Sequence, residues 1–165
     1  MTQSAVTLRV LTVDEWPLFR ELRLEALREA PHAFGSILDD WQGDGDTEQR
    51  WRQRLADVPF NVIAFFADIP SGIVSAINPD GSGVVELISM YVTPFARGKG
   101  VGDALVTAVI HWAKERHINK LSLDVMDDNY RAKALYRRHG FADNGWVEAQ
   151  EGRPERRMLR IEYAE

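Results

Sequence analysis

Three glycines fall within six residues at Arg97-Gly98-Lys99-Gly100-Val101-Gly102, the densest run of chemistry-bearing positions in the chain. Glycine tolerates positive φ and carries no side chain to hold a ligand off the backbone, while the first amides of a following helix lack internal partners. Such a segment presents N–H groups to an anion, phosphate above all, and Arg97 and Lys99 add charge at its rim. A plain strand-to-helix turn with exposed basic residues has the same composition, and the segment alone does not separate the two. Its spacing does exclude two phosphate motifs. A dinucleotide fingerprint begun at Gly98 needs glycine where the chain has Asp103, and a kinase-type phosphate loop needs Ser or Thr where Gly100 follows Lys99.

A strand must deliver the chain to this segment and a helix must leave it, and the hydrophobic pattern supplies both. Val84 to Val92 reads as a strand, and Val101 to Arg116 reads as a helix with Val101, Leu105, Ala108, Val109 and Trp112 on one face. Upstream, Val6 to Val10 reads as a strand, followed by a helix from about Glu15 to Glu29 with Asp14 as cap and Pro17 in its first turn. A glycine- and aspartate-rich loop from Ala33 to Asp46 then leads to a short helix capped by Thr47 and ending near Asp57. Val62 to Asp68 and Gly72 to Asn78 read as strands, with the turn Pro79-Asp80-Gly81-Ser82-Gly83 before the strand at Val84. Downstream come a strand Lys120 to Val125, a helix Asn129 to His139 stopped by Gly140, and strands Phe141 to Val147 and Arg157 to Tyr163. The order βα(α)βββαβαββ, with no repeat or linker, predicts one α+β domain over residues 1–165.

Composition narrows the chemistry. An apolar fraction of 45% and a charged fraction of 27% over 165 residues are those of an ordinary globular domain. With no cysteine there is no thiolate nucleophile, thiolate zinc site or disulfide, and His111, His117 and His139 lack metal-ligand spacing, so no metal is expected. A formal net charge of −5 argues against a nucleic-acid scaffold. The longest strongly apolar run, Val62 to Ala67, is too short to span a bilayer, so no membrane association and a cytoplasmic location are expected.

The cofactor signature Arg/Gln-x-x-Gly-x-Gly/Ala is met by Arg97, Gly100 and Gly102, and here the sequence resembles the GNAT acetyltransferase superfamily. Glu86-Leu87-Ile88-Ser89-Met90-Tyr91-Val92-Thr93-Pro94 looks like that superfamily's fourth strand. Leu123-Asp124-Val125 with Asn129, Ala132, Leu135, Tyr136 and Gly140-Phe141 looks like its second cofactor motif. The stretch Ala30 to Ser36 is also similar to members of the superfamily. The resemblance covers residues 84–141, roughly half the chain. It implies a mixed, mostly antiparallel sheet of six or seven strands, helices on both faces, and a V-shaped cleft between the fourth and fifth strands that takes acetyl-CoA as cosubstrate.

By the same resemblance, Met90, Tyr91 and Val92 give backbone hydrogen bonds to the pantetheine arm, and Arg97 to Asp103 cradle the pyrophosphate. Asn129 contacts the pantetheine or pyrophosphate end, Ala132 keeps the surface low, Lys133 meets a phosphate, and Tyr136 protonates the departing thiolate. Asn129 and Tyr136, seven residues apart on the expected helix, lie roughly 10 Å from one another. Glu86, a charged residue in an apolar strand, is the candidate base that frees the amine for direct attack. An exposed edge position, or a core tyrosine with a satisfied hydroxyl, accounts for the same residue types. The activity implied is acetyl transfer to a primary amine, on a small molecule or a peptide. A non-catalytic acyl-CoA-binding or sensing module and a nucleotide-binding protein are the alternatives. The acidic loop Asp39, Asp40, Asp44, Asp46, Glu48 suggests a cationic amine, and the Val62 to Ala67 strand and the last two strands fit either a homodimer interface or a core.

Overall fold

The computed structural model describes residues 5–31, 38–79, 82–148 and 153–163. Seven strands form one sheet in the order β1-β2-β3-β4-β5-β7-β6: β1 Val6–Val10, β2 Phe60–Phe66, β3 Ile69–Ile77, β4 Val84–Val92, β5 Lys120–Met126, β6 Ala142–Trp146 and β7 Glu155–Ile161. Helices α1 Trp16–Glu29, α2 Glu48–Asp57, α3 Val101–Glu115 and α4 Tyr130–Arg138 complete it. All strand pairs are antiparallel except β4 with β5. That exception follows from α3, which lies between those two strands in sequence and returns the chain for a parallel pairing.

The helices divide between the two faces of the sheet, and strand alternation assigns the core to each. Val62, Ala64, Val74, Ala76, Val85 and Leu87 pack with Leu105, Val109 and Trp112 of α3. Ile63 and Ile73, one residue out of phase, pack with Phe19, Leu22 and Leu27 of α1 and Trp51 of α2. Because both faces of β2 are covered, that strand is apolar throughout except for Asn61, and five successive residues from Phe60 to Ala64 are buried. Each large side chain so buried contributes about 1.5–3 kcal/mol against leaving it in water.

Several boundaries differ from the sequence expectation, each for a local reason. Thr12, not Asp14, begins the α1 region: Glu15 reaches back to the Thr12 amide at 3.0 Å, forming a capping box around a 3₁₀ turn over Val13–Glu15. Strand β3 starts at Ile69, three residues before Gly72, because Ala67 and Asp68 adopt φ of 53° and 63° and close a two-residue hairpin without glycine. Asn129 caps α4 instead of belonging to it, its side chain accepting from the Ala132 amide at 3.2 Å. Thr47 caps α2 as expected, accepting from the Arg50 amide. Two 3₁₀ turns, Leu38–Trp41 and Gly43–Gly45, occupy much of the expected acidic loop. Residues 32–37, within the stretch from Ala30 to Ser36 and its surroundings, and Asp80 and Gly81 of the expected turn lie outside the described residues.

Gly72 shows how closely β3, β4 and α3 are packed. A Cβ there would lie 2.8 Å from the Tyr91 carbonyl oxygen, 3.0 Å from Leu105 Cδ1 and 3.1 Å from Val101 Cγ1. The carbonyl belongs to a strand and has little room to retreat. Gly72→Ala is expected to destabilise the fold by about 1–3 kcal/mol, read as a lower urea midpoint; an unchanged midpoint would show that β3 and β4 can separate at this point without cost.

Candidate active site

Strand β4 pairs with β5 only through Val84, Val85 and Glu86, opposite Lys120, Leu121 and Ser122. Beyond that point the two strands have no common register, although β4 continues to Val92 and β5 to Met126. The cause lies in β4 itself. Between its pairings with β3, three steps from Tyr91 to Ile88 face two steps from Ile73 to Ser75, and Ser89 in that interval has φ of 56°. An extra residue in one strand is a β-bulge, which bends the strand and increases its twist. The bulge also changes which face each residue serves. Val85 and Leu87 belong to the α3 core, whereas Tyr91, of the same parity, belongs to the α1 and α2 core.

The opening between the splayed strands is a cavity of about 740 Å³, walled by β4 from Leu87 to Val92 and by Leu123, Asp124 and Val125 of β5. Its far end is the glycine turn. Gly98 and Gly100 have φ of 74° and 86°, and Gly100 is the residue before α3, where no side chain caps the first amides. A Cβ on Gly102 would meet Leu135 Cδ2 at 3.0 Å, so this glycine lets α3 approach α4.

The expected site residues divide by position. Met90, Tyr91 and Val92 line the cavity on the strand side, and Arg97, Gly98, Gly102 and Asp103 line it at the turn. Asn129, Ala132 and Tyr136 line it from α4 and its cap. Lys99 and Gly100 are exposed beyond the wall, and Val101 is buried in the α3 core. Lys133 is turned away: its buried Nζ lies 2.9 Å from Asp127 Oδ1. Arg97 is also occupied, its Nε donating to the Val92 carbonyl at 3.1 Å and its Nη2 to both Glu29 oxygens at 3.0 Å, so it braces the turn against α1. At the start of α3, burial would raise the Asp103 carboxyl, but hydrogen bonds from His139 and Arg138 outweigh it and hold the group below the usual aspartate range.

Tyr136 is buried in the cavity wall with its ring edge-on to Phe141 at 6.0 Å, and its hydroxyl makes no hydrogen bond among the described residues. Burial pushes its pKa well above that of an ordinary phenol, so the hydroxyl keeps its proton. Glu86 stands at the last position of β4 paired with β5, outside the cavity wall. Desolvation, aided by the neighbouring Asp124 charge and opposed by Arg157, raises its carboxyl above the usual glutamate range. Asp124 does line the cavity, and it accepts from Arg157 Nε and Nη2 at 2.9 and 3.1 Å. It was visible in the sequence as a charge inside an apolar strand, the same signal that marked Glu86. Of the acidic loop, Asp46 accepts from Arg20 and from Trp51 Nε1, which hold its pKa down to about 2, and Glu48 accepts from Arg52; these charges are met within the protein.

The sequence matches the Acetyltransferase (GNAT) family over residues 16–141. The chain belongs to the GNAT acetyltransferase family. The streptothricin acetyltransferase A of Bacillus subtilis is 41% identical over 64 residues, 39% of this chain and 36% of that protein. The mycothiol acetyltransferase of an Arthrobacter species is 32% identical over 104 residues, 58% of this chain and 32% of that protein. The chain therefore matches about a third of the length of these curated relatives. The GNAT fold extends over nearly the whole chain: the PaiA N-acetyltransferase of Thermoplasma acidophilum, solved in complex with coenzyme A, covers 96% of it with 99% of its own length, at 17% identity and a TM-score of 0.72. The parallel β4–β5 pair, the mixed seven-stranded sheet and helices on both faces agree with the fold expected from the sequence. No described helix is long and apolar enough to cross a membrane.

The carboxyl pair yields a direct test of the site's electrostatics. Asp124→Asn removes a like charge from beside Glu86 and releases Arg157 from its partner, and both changes favour ionised Glu86. The Glu86 titration, followed by carboxyl ¹³C NMR, is expected to move to lower pH; no movement, or movement upward, would show that the two carboxylates do not sense each other.

Proposed function

We propose that this GNAT protein transfers an acetyl group from acetyl-CoA to a primary amine, by direct attack in a ternary complex. The observation that carries the proposal is the separation of β4 from β5 over a cavity that ends at an uncapped glycine turn. That shape suits a long ligand with an amide-bearing arm and an anionic end. The free edge of β4 at Met90, Tyr91 and Val92 can pair with such an arm as an added strand would, and the turn amides from Gly98 to Asp103 can receive the pyrophosphate. Asn129 spends its Oδ1 on the α4 cap, leaving its amide N–H groups for the ligand. The volume, about 740 Å³, lies within the range of cofactor sites.

Acetyl-CoA held there supplies an activated acetyl thioester. Glu86, acting directly or through a water, takes the proton from the acceptor ammonium, and its raised pKa makes it a better base than an ordinary glutamate. The amine nitrogen forms the new C–N bond to the carbonyl carbon as the C–S bond breaks, and the second proton it loses passes through water to the departing thiolate, which leaves as free thiol. Tyr136 then directs its hydroxyl at the leaving sulfur. A thiolate, with a reference pKa near 8.5, is a weaker base than a buried phenolate, so Tyr136 acts chiefly as a hydrogen-bond donor to the emerging charge. The acceptor is an amine of a small molecule or a peptide.

Release of free thiol from acetyl-CoA, measured across polyamines, amino acids, aminoglycoside-type antibiotics and peptides, tests the activity; a protein that binds acetyl-CoA but shows no acceptor-dependent release with any class fits a sensing module instead. Tyr136→Phe is expected to lower kcat about 10- to 100-fold, the value of a hydrogen bond to a charged group, with acetyl-CoA affinity changed less than about twofold. Unchanged kcat would remove Tyr136 from the reaction.

A further inference from the structure

Behind the β4 bulge lies a cation held, among the described residues, by neutral oxygens and by no carboxylate. Arg54 of α2 donates through Nη1 to Asn61 Oδ1 at 3.0 Å, and through Nη2 to Ser75 Oγ at 3.3 Å and Ser89 Oγ at 3.1 Å. Ser75 in turn donates to Asn61 Oδ1 at 2.7 Å, and Asn61 Nδ2 donates to the Val58 carbonyl at 2.9 Å. One guanidinium therefore joins β2, β3 and β4 from the α2 side, with the Phe19 ring centred 5.1 Å away. Among the described residues Arg54 makes no ion pair, and burial pushes its pKa down to about 10, which still leaves it charged at neutral pH. A neutral apolar side chain of that size would fill the space at lower electrostatic cost. What the guanidinium does that such a residue cannot is hold three oxygens at fixed positions with a rigid fork.

One of those oxygens belongs to the residue on which the cleft turns. Ser89 lines the cavity, sits in the bulge, and has φ of 56°, a conformation that non-glycine residues hold only where their surroundings enforce it. Its hydroxyl accepts from Arg54, and among the described residues no other hydrogen bond holds that side chain. We propose that Arg54 is a positioning residue: through Ser89 it holds the β4 bulge in the register that turns Met90 and the following backbone toward the acetyl-pantetheine end of the cleft. The proposal rests on the coenzyme A reading of that cleft. Arg54 touches neither the cavity nor the reacting atoms, so its effect must pass through Ser89.

Two ligands separate this role from general support of the fold. Acetyl-CoA reaches both ends of the cleft, whereas adenosine 3′,5′-bisphosphate, the nucleotide part of the same molecule, reaches the glycine turn without reaching the bulge. Calorimetric titration of the wild type, Arg54→Gln, Ser89→Ala and the double variant with each ligand is the experiment. Each single variant is expected to bind acetyl-CoA about tenfold more weakly, as for loss of one charge-assisted hydrogen bond, and to bind the bisphosphate as the wild type does. The double variant is expected to match the singles, because the two side chains act as one unit. Equal weakening toward both ligands, additive losses, or unchanged acetyl-CoA affinity would overturn the role of Arg54. If Arg54→Gln does not fold, Ser89→Ala and Arg54→Lys carry the same comparison: Lys keeps the charge but cannot reach all three oxygens, and is expected to lose acetyl-CoA affinity alone. A wild type that binds neither ligand overturns the coenzyme A reading itself, a pattern distinct from any failure of the variants.

Discussion

A sheet that opens in its middle leaves backbone groups without partners, and this constraint organises the molecule. From Leu87 to Val92, strand β4 keeps its bonds to β3 but among the described residues has no strand partner on the β5 side. Backbone N–H and C=O groups away from water must be paired, and the energy of leaving them bare is comparable to that of a lost hydrogen bond. Such an internal edge can be completed by an extended ligand as by an added strand. The bulge at Ser89 is what prevents β5 from closing the gap, since it turns the second half of β4 away after three residue pairs.

The rest of the fold supports that opening from both sides. Behind β4, Gly72 allows β3 to approach the Tyr91 carbonyl, and the Arg54 network ties the bulge to β2 and β3. In front, Gly102 brings the start of α3 against Leu135 of α4, so the glycine turn and the helix carrying Tyr136 face the same space. Arg97, whose position in the signature invites a phosphate contact, instead spends its donors on Val92 and Glu29 and fixes the turn to the end of the strand. The cavity thus lies between two rigid walls, and the charges around it are for the most part already held by protein partners.

Much of this was legible in the sequence, because it is written in local rules. The period of the apolar residues gave β4 with both ends correct and α3 to within one residue, and the glycines at 98 and 100 stand where positive φ is needed. Sequence reasoning lost accuracy where tertiary contacts override local preference. Ala67 and Asp68 form a tight turn that their types do not announce, Thr12 displaces Asp14 as cap because Glu15 is positioned to reciprocate, and Asn129 serves as cap where the helical pattern would include it. Asp124 carried the same in-strand charge that marked Glu86, but its partner Arg157, 33 residues away, showed in no short-range pattern. Arg54 gave no such local signal, because its significance lies in Ser89, 35 residues away.

The claim on which the account stands is that a ligand of coenzyme A type completes the sheet along β4 and ends at the glycine turn. Amide hydrogen exchange with and without saturating acetyl-CoA measures this residue by residue. The account predicts slowed exchange in two separate segments, residues 90–92 of β4 and residues 98–104 at the start of α3, with β1 and β6 unchanged. Unaltered exchange in both segments under saturating acetyl-CoA would contradict it.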